Sequence, residues 1–164
     1  MQSYIFGNKI DIKKNKLEYL IFLKRLLPRE FNSIPESLAI TLFEETKKSK
    51  KVILETGTGA STVALFLGCY FNKKKLITYE INKNRISFIK KFIQINICNY
   101  LNINLSKYWI SKNANSINAK KGIDNLKERP SLFYIDSNHN INHIYKEIEK
   151  CAKVADDNFY MIFD

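Results

Sequence analysis

From residue 50 onward, short unbroken apolar runs take turns with longer stretches whose apolar residues recur every three to four positions. The runs at 51–56 (KVILET), 75–80 (KLITYE), 131–136 (SLFYID) and 158–163 (NFYMIF) are β-branched or aromatic and punctuated by polar residues, the mark of buried strands. Between them, 60–71 carries Val63, Ala64 and Leu67, 83–96 carries Ile86, Ile89 and Ile93 with Ile97 next in the series, and 141–152 repeats the rhythm, so each reads as an amphipathic helix. The isoleucine-rich helix depends on burial more than on propensity. KYWIS at 107–111 suits a third strand, although LNINL at 101–105 alternates well enough to be that strand instead. A helix is expected over 115–128, ended by Pro130.

Before residue 50 the pattern is helical. Residues 1–12 read as an extended arm or short strand. A helix over 16–27 places Leu20, Leu23 and Leu27 on one face and stops at Pro28. A second starts after Ser33-Ile34-Pro35, with Ser33 as cap and Pro35 early in the helix. The chain thus divides into a helical segment, 1–49, that either covers a ligand site or packs on an edge, and an α/β domain, 50–164. Five strand-helix units predict a Rossmann-like, mostly parallel sheet in the order 3-2-1-4-5, with helices on both faces.

Length and composition fit one domain with a real core: 164 residues, 45% hydrophobic. No apolar run approaches the roughly 18 residues of a membrane span, and the N-terminus lacks the basic-then-apolar order of a signal peptide. A cytoplasmic protein is expected. Cys69, Cys98 and Cys151 share no metal-ligand spacing and read as buried thiols of a reducing compartment. The net charge of +11 favours a nucleic-acid partner. Yet lysine far outnumbers the four arginines, asparagine and isoleucine are also abundant, and such a bias also follows from an AT-rich genome. The lysine clusters at 13–16, 47–51, 73–75, 90–91 and 120–121 form no single stripe in sequence.

Candidate chemistry begins at the end of the first strand, LETGTGAST at 54–62. Gly57 and Gly59 permit close approach of a ligand to the backbone. A dinucleotide fingerprint would place glycine where this chain has Thr62, and no Gly-Lys-Ser/Thr follows for a phosphate loop. Glu55 beside the turn disfavours a pyrophosphate and suits an ammonium or hydroxyl. Glu80 follows Gly59 by 21 residues, the offset at which a doubly wound sheet sets a carboxylate against ribose hydroxyls. A phosphate-free nucleoside of cationic character satisfies both. Asp136 ends the fourth strand and is either a ligand contact or a cap for the next helix, and His139 follows it on a polar loop.

These motifs resemble the class I S-adenosylmethionine-dependent methyltransferases, within them the macrocin and sugar O-methyltransferase branch whose fourth strand ends in aspartate-glycine-x-histidine. LETGTGAST resembles the first cofactor motif, ITYEIN at 77–82 the second-strand motif, SKNANSI at 111–117 the segment after strand three, LFYIDSNHNI at 132–141 the fourth-strand motif and FYMIFD at 159–164 the start of a fifth. The resemblance implies that S-adenosylmethionine is held by Glu55 at its ammonium, by Gly57, Gly59 and Ser61 along its methionine part, by Glu80 at its ribose, by Asn113 near its adenine, and by Asp136. It implies methyl transfer to a small hydroxylated acceptor, with Asp136 and His139 as catalytic residues and Asp136 with Asp164 as ligands of a magnesium ion. Ser137 stands where the family has glycine, and the last two of its usual seven strands are absent, so the chain reads as a minimal version or a fragment. The edge left uncovered favours a homodimer.

Two other functions fit the same motifs. One is methylation of RNA or DNA, supported by charge and by Tyr108 and Trp109 as stacking residues, although base N-methyltransferase and catalytic proline-cysteine motifs are missing. The other is a non-catalytic cofactor-binding or interaction domain.

Overall fold

A computed structural model describes residues 2–5, 8–136 and 140–163. An antiparallel hairpin, β1 (Gln2–Ile5) and β2 (Asn8–Asp11), precedes helices α1 (Lys16–Leu26) and α2 (Glu36–Glu45). Then come β3 (Val52–Thr56), α3 (Ala60–Asn72), β4 (Lys75–Glu80) and α4 (Lys83–Ile93). The chain continues through the short helices α5 (Asn99–Leu101) and α6 (Leu105–Tyr108) to β5 (Trp109–Asn113), β6 (Leu132–Ile135), α7 (Ile141–Val154) and β7 (Tyr160–Phe163).

The last five strands form one parallel sheet in the order β5-β4-β3-β6-β7, the expected 3-2-1-4-5. Period-two alternation splits its side chains between two cores. Ile53, Leu76, Trp109 and Leu132 pack with α1 to α4, where Leu20, Leu23, Leu42, Val63, Leu67 and Ile89 are buried. Val52, Leu54, Ile77, Phe133 and Ile135 pack on the other face with Cys151 of α7. Both faces of β3 are therefore covered, which is why all five of its residues are buried. The N-terminal helices share the first core rather than forming one of their own.

Four expectations are corrected. The third strand is WISKN at 109–113, two residues later than the aromatic content placed it, because 105–108 turns helical behind the Asn104 side-chain cap. Residues 115–128 form no α-helix. Asparagine side chains compete for the backbone there, Asn115 Oδ1 accepting from Ile117 N and Asn118 Oδ1 from Lys120 N and Lys121 N, and only the 3-10 turn Ile123–Asn125 is helical. Ser33 does not cap α2, whose N-cap is Pro35 with no side-chain bond. The isoleucine-rich helix also runs past its expected end, through the π-turn Gln94–Cys98, and Asn102 stops it in the left-handed conformation. All three cysteines are buried free thiols, and among the described residues no helix is long and apolar enough to cross a membrane.

Candidate functional site

At the carboxyl end of β3 the chain makes a turn that only glycine adopts without strain: Gly57 has φ 91°. Its N–H donates to the Tyr79 carbonyl at 2.9 Å, tying the turn to β4. Gly59 N–H donates to Thr62 Oγ1 at 3.0 Å and starts α3, and a Cβ at Gly59 would stand 3.3 Å from the Phe31 carbonyl. Between the glycines, Thr58 is buried with a hydroxyl that has no hydrogen-bond partner among the described residues. A buried unpaired hydroxyl costs about 1–3 kcal/mol, a deficit that a polar ligand group would remove.

A cleft of about 460 Å³ opens at this turn. Successive strand ends supply its walls: Gly57 to Gly59 after β3, Glu80 to Asn82 after β4, Ala114 to Ser116 after β5 and Asp136 after β6. Glu30 and Ser33, from the connection between α1 and α2, close the fourth side, so the N-terminal segment borders the site. Glu80 Oε1 accepts from Asn82 N at 2.7 Å while its Oε2 lies 3.7 Å from the Arg85 guanidinium. Arg85 also donates to the Thr58 carbonyl at 3.2 and 2.8 Å and to the Glu30 carbonyl at 3.4 Å. One side chain thus braces the glycine turn, the second-strand acid and the α1–α2 connection.

The structure does not bring every expected residue to the cleft. Gly57, Gly59, Glu80 and Asp136 line it, whereas Glu55 and Ser61 are buried behind the turn. Glu55 Oε1 accepts from Ser61 Oγ at 2.7 Å, and Oε2 accepts from Thr62 Oγ1 at 2.9 Å and Thr78 Oγ1 at 2.8 Å. Burial pushes its carboxyl up to about 8 against the pull of these three hydroxyls, with nearby Asp136 adding to the rise. Here Glu55 is an internal anchor rather than a wall of the cleft. Asn113 is exposed and spends its amide on the Glu80 and Ile81 carbonyls, at 3.0 and 2.8 Å, holding the exit of β4 beside β5. Asp136 takes its backbone bonds from β3, N–H to the Thr56 carbonyl at 3.0 Å. The cap of α7 is Asn140, whose Oδ1 accepts from Asn142 N and His143 N, so Asp136 does not cap that helix.

His139 and Asp164 lie outside the described residues. Among the described residues no three His, Cys, Asp or Glu side chains gather as a metal site. Only one of the two expected magnesium ligands, Asp136, is therefore described. Trp109 is buried and donates to Thr78 Oγ1 at 2.9 Å, a structural role rather than a stacking one.

Sequence reasoning missed Arg85, Thr58 and His143. Arg85 is an ordinary cation on a helix until folding sets it against Thr58. His143, on α7, lines the cleft, with Nε2 3.4 Å from Glu147 Oε1. Glu147 is fully buried and accepts a hydrogen bond from Ser116 Oγ, another residue of the cleft wall. The i,i+4 spacing of His143 and Glu147 was the one legible signal.

No family model matches the sequence, and neither does any curated protein. Solved structures do. One is an S-adenosylhomocysteine-bound methyltransferase from Podospora anserina, 16% identical with a TM-score of 0.63, covering 92% of this chain and 62% of its own. An O-methyltransferase from Bacillus cereus, also with S-adenosylhomocysteine, is 21% identical with a TM-score of 0.65, covering 90% of this chain and 64% of its own. A ribosomal protein L11 methylase from Lactobacillus delbrueckii is 12% identical with a TM-score of 0.52, covering 77% and 56%. The chain spans less than two thirds of the length of these three. It has the class I S-adenosylmethionine-dependent methyltransferase fold, a fold shared by enzymes with different acceptors.

Proposed function

We propose that this chain binds S-adenosylmethionine in the cleft at the carboxyl edge of its sheet and transfers the methyl group to a hydroxyl of a small molecule, as the macrocin and sugar O-methyltransferases do. One observation carries the reading: the Gly57-Thr58-Gly59 turn and the Glu80 carboxylate stand on one cleft, at the ends of adjacent parallel strands. The turn offers close backbone approach and the Thr58 hydroxyl, which has no partner among the described residues, to the methionine part. Glu80 offers its remaining lone pairs to two ribose hydroxyls. Glu55 and Ser61 act on the cofactor indirectly, by fixing the start of α3. Asn113 acts by fixing the exit of β4, and its neighbours Ala114 and Asn115 form the adenine side.

When bound, the cofactor would supply an electrophilic methyl on a sulfonium, whose sulfur would leave as a neutral thioether as the acceptor oxygen takes the carbon. The residues must hold the two reactants in line and take the hydroxyl proton. For the proton we assign His143: Glu147 Oε1 lies 3.4 Å from Nε2, and a proton held on Nε2 leaves the Nδ1 lone pair to accept another. His139, three residues after Asp136 in the sequence, is the other candidate for the same role. Asp136 and Asp164 would be the carboxylate ligands of a magnesium ion, which would favour the deprotonated form of the acceptor hydroxyl.

Titration calorimetry with S-adenosylhomocysteine tests the cofactor, and a panel of hydroxylated small molecules tests the acceptor. Folded, soluble protein that takes up no S-adenosylhomocysteine would remove the reading.

A further inference from the structure

The opposite edge of the sheet carries a second, larger groove, of about 1090 Å³. Every segment that enters β3, β4, β5 or β6 from its amino end brings a cation to it: Lys50 and Lys51 before β3, Lys73 and Lys74 before β4 with Lys75 at its start, Lys107 before β5 and Arg129 before β6. Against these seven cations stand two carboxylates, Glu128 and Asp156. Lys75 pairs with Glu128 at 2.8 Å and Lys50 with Asp156 at 3.0 Å, and Arg129 pairs with Asp157 at 3.2 Å. Lys51, Lys73 and Lys107 are exposed and make no ion pair among the described residues. Lys73 sits in the left-handed conformation, φ 56°, at the end of α3, at the head of three consecutive lysines.

The groove is not only charged. Tyr108 lines it and also lines an adjoining hollow with Tyr70, Lys13 and Lys16, the two rings meeting edge-on at 5.5 Å. Lys107 lies over the Tyr108 ring at 5.4 Å, so a cation and an aromatic face already occur side by side. Unpaired lysines at intervals along a concave surface, with aromatic rings at one end, are what a flexible phosphodiester chain with unstacked bases requires. A flat bilayer does not enter a groove, and a duplex keeps its bases from the rings.

We infer that the amino edge of the sheet is a binding site for single-stranded RNA, separate from the cleft at the carboxyl edge. The inference does not rest on the methyltransferase reading, because the two sites occupy opposite ends of the strands.

The test is fluorescence anisotropy of a labelled single-stranded oligoribonucleotide against the whole chain. Binding is expected to weaken linearly with log salt, at roughly 0.7 in slope per phosphate contact. The triple variant Lys51→Gln, Lys73→Asn, Lys107→Gln is expected to bind at least about tenfold more weakly and to flatten the slope by about 2. A control of equal charge, Lys90→Gln, Lys91→Gln, Lys146→Gln, removes exposed lysines on α4 and α7 and is expected to change neither. Tyr108→Leu is expected to weaken binding while leaving the slope in place. Saturating S-adenosylhomocysteine is expected to leave RNA affinity unchanged. The inference is overturned by absence of binding at low salt in the unmodified protein, by equal losses in the two triple variants, by equal affinity for duplex RNA, by binding to phosphatidylserine vesicles in place of RNA, or by competition between RNA and S-adenosylhomocysteine.

Discussion

Glu55 and Thr78 face each other across the β3–β4 ladder, and the threonine hydroxyl donates to the Glu55 carboxylate at 2.8 Å while accepting from the Trp109 indole at 2.9 Å. The polar chain thus crosses three neighbouring strands inside the core and ends under the glycine turn, where Thr62 bonds both Glu55 and Gly59 N–H.

Thr78→Val, nearly equal in shape, leaves the Trp109 N–H without its acceptor and Glu55 short of a donor. The expected cost is about 2 kcal/mol, since a buried polar group that loses its partner is left with its desolvation penalty uncompensated. Urea unfolding followed by Trp fluorescence measures it, and an unchanged midpoint would contradict the network.

Stability should also carry the signature of Glu55. Its carboxyl titrates at about 8 in the folded chain against an ordinary 4.5, so the folded state holds the proton more tightly. The contribution is full below the ordinary value and is lost as pH rises to about 8, on the order of a few kcal/mol at most. Glu55→Gln, neutral throughout, is expected to flatten this part of the profile. Parallel urea melts of the two proteins across that window check it.

Glu80→Gln keeps the shape of the side chain and removes its charge. Binding of S-adenosylhomocysteine should weaken by roughly 10- to 100-fold, the worth of one charge-assisted hydrogen bond. Glu128→Gln, at the far edge of the sheet, should leave calorimetric affinity unchanged.

His143→Asn is expected to lower turnover of a hydroxylated acceptor by about 100-fold or more while cofactor affinity holds. Glu147→Gln should move turnover in the same direction by a smaller factor, because it acts through His143. Equal turnover in His143→Asn would shift the proton to His139 or to solvent.

Gly68 tests the packing beneath the site. A Cβ there would come within 2.5 Å of Thr46 Oγ1 and 2.9 Å of the Phe43 carbonyl, so Gly68→Ala forces α3 away from α2. A loss of about 1–3 kcal/mol is expected in thermal or urea melts.

The sheet was legible because burial on two faces leaves a run such as VILE or LFYI no other comfortable form, and because parallel strands demand the helices whose periodicity lies between them. Gly57 and Glu80 were legible too, as each is tied to a strand end. The segment after β5 was misread since asparagine side chains bond the backbone locally, which periodicity does not register. Glu55 stood out as an acid by the turn, yet its three hydroxyl partners come from two different elements, and only their convergence turned it inward.

Sequence by itself determined the order of strands and the strand ends that border the cleft. Tertiary structure alone decided which distant residues meet: Arg85 with Thr58, His143 with the wall of the cleft, and lysines scattered from 50 to 107 along one groove. The physical reason is that a parallel sheet returns every strand start to the same edge, so groups far apart in the chain become neighbours by topology rather than by spacing.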